Sequence, residues 1–82
     1  MTSIARTPEQ LGAIIRRQRK LQQLTQTEVS AKTHLRQATI SALENGEHGV
    51  QLKTLTDILA ALSLELVVRP RSTDSTSIED LF

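Results

Sequence analysis

The chain has 82 residues, a formal net charge of +1, one Phe and no Trp, Tyr or Cys. A mainly aliphatic chain of this size can bury only the modest core of one small domain, which self-association would enlarge. The lack of cysteine excludes disulfide and thiolate chemistry, and the absence of a signal-peptide pattern or long apolar run leads us to expect a cytoplasmic protein.

The small net charge conceals a split. All ten Lys and Arg lie at or before Arg71, against six acidic residues there, so the body carries +4 and the remaining tail −3. From Arg16 to Arg36, six basic residues face only Glu28. Positive potential is therefore concentrated over one part of the chain, as nucleic-acid binders require.

Residues 1–6 are expected to form a flexible arm. Thr7-Pro8-Glu9-Gln10 is a helix entry, with a capping threonine, proline at the first helical position and glutamine placed to close a capping box. Leu11, Ile14, Ile15 and Leu21 follow as an apolar stripe of helical period. Arg16, Arg17 and Lys20 project elsewhere, near the negative end of that helix. Two readings of this basic run stay open: dipole complementation with solubility, or contact with phosphate.

Leu24 to Gly46 reads as two short helices joined by a tight turn, the pattern of a DNA-reading helix-turn-helix. Thr25 caps the first and Glu28 closes the reciprocal box, so the helix starts at Gln26, with Val29 inward and small Ala31 also placed on the inner side. The second runs from Gln37 to Asn45 with Ile40 and Leu43 inward, and Gly46 supplies the left-handed residue that ends it. Arg36, Gln37, Ala38 and Ser41 are left near the start and outer face, the part of such a helix that meets base edges in the major groove. Gln26, Thr39 and Asn45 are candidates for phosphate contacts, which set register without reading sequence. His34 and His48 sit in separate loops without a cysteine or carboxylate cluster, so both are read as structural and no metal is expected.

After a loop through His48, Gly49 and Val50, residues Leu52, Leu55, Ile58, Leu59 and Leu62 mark another amphipathic helix that seals the core. Residues 64–70 switch to β-branched residues and end at Pro70, which reads as one lone strand. A lone strand leaves its backbone groups unpaired, so Leu64, Leu66, Val67 and Val68 are expected to pair with the same strand of a second copy. Folding back onto its own subunit is the alternative. Residues 71–82 are too polar to order themselves. Within them Ile78, Leu81 and Phe82 form an acidic-apolar patch suited to docking on another protein, or simply part of a solubilising tail.

TQTEVSAKT, QATIS and LENG resemble the Cro/phage-repressor type of helix-turn-helix domain from about Leu11 to Leu62. The resemblance implies an all-α domain of four to five helices over residues 7–63, followed by the dimerising strand. It also implies that Gln26 clamps a phosphate, that Arg36, Gln37 and Ser41 contact bases, and that Arg19 forms an ion pair with Glu44. One position departs from the pattern, because His34 stands where the inter-helix turn usually holds glycine. The terminal leucine-rich helix leading into LELVVRP further resembles HipB-type antitoxins. That family implies a homodimer bound to an inverted-repeat operator, repressing its own operon and partnering a HipA-like serine/threonine kinase toxin. A stand-alone phage-type or conjugation-type repressor is the alternative. The sequence offers no nucleophile-base pair or phosphate-binding glycine loop, so neither an enzyme nor a cofactor is expected.

Overall fold

The computed structural model describes residues 3–71. The expectations for residues 72–82, including the docking patch Ile78, Leu81 and Phe82, fall outside the described residues. Among the described residues there are four helices, α1 (Pro8–Leu21), α2 (Gln26–Thr33), α3 (Gln37–Glu44) and α4 (Leu52–Ala61), and no strand.

The Thr7 hydroxyl accepts from the Gln10 N–H at 3.1 Å and starts α1. Gln10 Oε1 accepts from the N–H of Arg6 at 2.7 Å rather than that of Thr7, so the expected box closes one residue earlier. Ile15 and Gly12 are buried, Leu11 and Ile14 half-buried. Leu21 departs from the expected stripe and is 65% exposed. At 100° per residue it lies roughly 240° round the helix from Ile15, whereas Arg19 lies only about 40° from it and faces the core.

In α2 the capping box is complete: Glu28 N–H donates to Thr25 Oγ1 at 3.1 Å and Thr25 N–H to Glu28 Oε1 at 2.9 Å. Val29 is fully buried, but Ala31 is exposed rather than inward. Two residues on, it points to nearly the opposite side of the helix. The Thr33 hydroxyl donates back to the Val29 carbonyl at 2.8 Å, and His34 follows with φ 60°.

Three helices end in the same way. Leu24 donates to Arg19 O, Glu47 to Ala42 O and Leu64 to Leu59 O, each one residue after a left-handed Gln23, Gly46 or Ser63. These are the six-to-one bonds of the Schellman motif, which satisfies carbonyls that a helix end leaves open. Only Gly46 advertises the motif by residue type. The Gln22 side chain adds a bond to Leu62 O at 2.7 Å, joining the ends of α1 and α4.

Ile15, Val29, Ile40, Leu43, Ile58, Leu59 and Leu62 make the core, with Leu24, Leu35, Val50 and Leu55 packed around it. Leu52, expected on the inner face of α4, is 67% exposed at the helix start. Leu64 packs against the core, but Leu66, Val67 and Val68 are 53%, 70% and 91% exposed. Residues 65–71 make no backbone ladder among the described residues, so the expected strand is not formed within a single chain. Its N–H and C=O groups have no neighbouring strand to meet.

Candidate nucleic-acid interface

The interface candidates begin at α3. Arg36 is its N-cap, in extended conformation (φ −70°, ψ 145°), and its guanidinium, a donor only, gives the helix start no cap bond. Arg36, Gln37 and Ala38 are exposed, while Ser41 and Thr39 are half-buried. Ile40 and Leu43 hold the opposite face in the core. The alternation of buried and exposed positions thus presents the first turn of α3 outward on a rigid support.

One contact at this turn was not anticipated: the Thr27 hydroxyl donates to Gln37 Oε1 at 3.2 Å. Thr27 is the second residue of α2, so α2 lies beside the start of α3 and constrains the Gln37 amide. An exposed hydroxyl at a helix start is the faint sequence signal that could have drawn attention to it.

A second group gathers near the other end of α3. Arg19 Nε donates to Glu44 Oε2 at 2.6 Å and Arg19 Nη2 to Glu44 Oε1 at 3.0 Å, a two-point guanidinium-carboxylate pair. Both residues are buried, at 8% and 6% exposure. Arg19 Nη1 also donates to Leu24 O at 2.8 Å, just before the cap of α2. Gln26 Nε2 donates to Glu44 Oε1 at 3.1 Å. Burial pushes the Glu44 carboxyl up, but the hydrogen bonds from Arg19 and Gln26, aided by the charges of Arg19 and Arg16, hold it below its ordinary value. The hydrogen bond to Glu44 likewise raises the Arg19 guanidinium despite desolvation.

Of the candidate phosphate residues, Gln26 and Asn45 come to the end of α3, while Thr39 sits in its first turn. Gln26 belongs with Glu44, and Asn45 follows directly as the exposed C-cap of α3, roughly 12 Å along the helix from Gln37 at 1.5 Å per residue. Thr39 lies between them in the chain. Arg16, Arg17 and Lys20, all exposed, line a shallow concavity on α1 with Ala13, Leu21 and Glu44. Lys32 and Arg36 are exposed at the far end of α2 and the turn after it. Cations consequently flank α3 from both α1 and the inter-helix turn. Both histidines are exposed, and no group of three or more potential metal-binding side chains is gathered among the described residues. No helix there is long and apolar enough to cross a membrane.

Residues 15–68 match the family model described as helix-turn-helix. A Mycobacterium tuberculosis protein bearing the antitoxin name HigA2 is 41% identical over 63 residues, spanning 76% of this chain. The chain covers 62% of that relative's length. Among solved structures, a HipB complex with an O2 20-mer matches 88% of this chain and all of the HipB chain, with TM-score 0.82 and 29% identity. A HipA-HipB-O2-O3 complex matches 87% of this chain and all of the matched one, with TM-score 0.80 and 30% identity.

Proposed function

This chain belongs to the helix-turn-helix family, and from that premise we propose that it is a sequence-specific DNA-binding repressor serving as the antitoxin of a HipA-like kinase. The observation that carries the reading is the exposed first turn of α3, with Arg36, Gln37 and Ala38 outward on a fold shared with DNA-bound HipB. Arg36 is suited to bidentate bonding with guanine O6 and N7, and Gln37 to adenine N6 and N7. Ala38 or the Thr39 methyl suits a thymine methyl, and Ser41 completes the reading face. Gln26, Thr39 and Asn45 fix register on phosphates.

Two copies paired through residues 64–70 place two α3 helices one helical turn of DNA apart, so the operator is an inverted repeat. The exposed Leu66, Val67 and Val68 supply apolar surface for that pairing. In this proposal the protein acts on cytoplasmic DNA and represses its own operon, while Ile78, Leu81 and Phe82 reach into the kinase.

The test is co-purification from a strain expressing the native locus, with mass spectrometry of the bound material and a mobility-shift assay on the promoter DNA. Recovery of a stoichiometric kinase-like partner together with a shift supports the whole proposal. A clean homodimer that shifts the promoter leaves the alternative, a stand-alone phage-type or conjugation-type repressor.

A further inference from the structure

Beyond these contacts, we propose that Glu44 is a positioning residue for DNA binding: its carboxylate fixes the Gln26 side-chain amide in the orientation that offers an N–H to a phosphate. The inference rests on the DNA-binding reading above.

Gln26 Nε2 lies 3.1 Å from Glu44 Oε1. A carboxylate held charged can only accept, so the Gln26 amide must turn its nitrogen, not its oxygen, toward it. A primary amide has two N–H groups, and Glu44 takes one. The other is left on the half-buried Gln26, on a nitrogen whose place is already set. A glutamine free to rotate would present its oxygen to a phosphate as readily as its nitrogen, and would lose rotamer freedom on binding. Glu44 removes both disadvantages beforehand.

The carboxylate is itself held from the far side. Arg19 occupies both its oxygens from α1 and bonds Leu24 O ahead of α2, so one guanidinium sets both the acceptor and the start of the helix that carries Gln26. A buried carboxylate at the last residue of α3 also faces the negative end of that helix. Neither burial nor the helix dipole favours an acid there; the two-point pair with Arg19 offsets both, and Oε1 accepts from Gln26 as well.

The test uses the full-length protein and a mixed-sequence 20-base-pair duplex at low salt, because a phosphate contact is independent of base sequence. Affinity is measured for the unsubstituted protein, Gln26→Met, Glu44→Gln and the double variant, with thermal melting of each. Gln26→Met should weaken binding about tenfold, as expected for one hydrogen bond to a charged group. Glu44→Gln should weaken it roughly threefold or more in the original background, but less than about twofold when Gln26→Met is already present. Equal losses in both backgrounds would make Glu44 a structural residue only and overturn the proposal. No effect of Gln26→Met overturns it too while leaving DNA binding intact, and failure of the unsubstituted protein to bind any duplex removes the DNA reading itself. Should Glu44→Gln not fold, the Gln26 side-chain amide is followed by ¹⁵N NMR in the free, unsubstituted protein. A dispersed proton pair with restricted motion supports the proposal, and a rotationally averaged, mobile amide overturns it.

Discussion

Gly12 of α1 lies so close to the end of α3 that a β-carbon on it would stand 2.4 Å from the carbonyl oxygen of Leu43 and 2.6 Å from that of Glu44. The absence of a side chain lets the two helices approach and brings Arg19, two turns further along α1, onto Glu44. Gly12→Ala should therefore destabilise the protein by about 1–3 kcal/mol, even though alanine is the better helix former by about 1 kcal/mol. Urea unfolding checks this. A gain in stability would show that α1 can shift without cost.

Removing one partner of the Arg19–Glu44 pair strands a buried charge. Arg19→Met is expected to cost about 3–5 kcal/mol, and combining it with Glu44→Leu should return much of that loss, because no unpaired ion then remains. Chemical denaturation of the single and double variants provides the measurement. Equal stability of the two would mean that the single loss comes from packing instead.

Acid should weaken the fold through Glu44. Its carboxyl is held below the ordinary value of 4.5 in the folded state, so its contribution is present above about pH 4.5 and is lost as pH falls through the folded value. The hydrogen bonds to the Thr25 backbone and hydroxyl act with the same sign on Glu28. Stability measured from pH 7 down to pH 3 should fall less steeply in Glu44→Gln than in the unsubstituted protein, from a lower starting value.

His34 holds the turn between α2 and α3 at φ 60° and ψ 22°. A β-carbon is disfavoured in that region and glycine is not, so His34→Gly should raise stability by roughly 1 kcal/mol. A higher melting temperature with unchanged DNA affinity is the expected result.

Arg36 separates base reading from mere charge attraction. Arg36→Ala should lose roughly 1–3 kcal/mol on a selected operator duplex and much less on mixed-sequence DNA. Equal losses on both duplexes would make Arg36 a phosphate contact.

The parts of this fold legible in the sequence are those encoded over three or four residues. Thr25 and Glu28 name the start of α2, Gly46 names the end of α3, and the spacing of Ile40 and Leu43 names its buried face, because caps and helical periodicity are local. Gln23 and Ser63 end their helices in the same left-handed conformation as Gly46, but neither residue type signals it. Their placement comes from the chain having to return Leu24 and Leu64 to the core.

The sequence by itself thus located four helical runs in their order, within the four to five helices the resemblance implied, with their principal inward residues and the outward start of α3. Tertiary structure alone decided that Leu52 faces outward, that Gly12 sets the spacing of α1 and α3, that Thr27 holds Gln37, and that Gln26 is tied to Glu44. The last two bonds join residues 10 and 18 positions apart. Such contacts depend on the distance and crossing of packed helices, which side-chain volumes across the whole core settle together and no local pattern records.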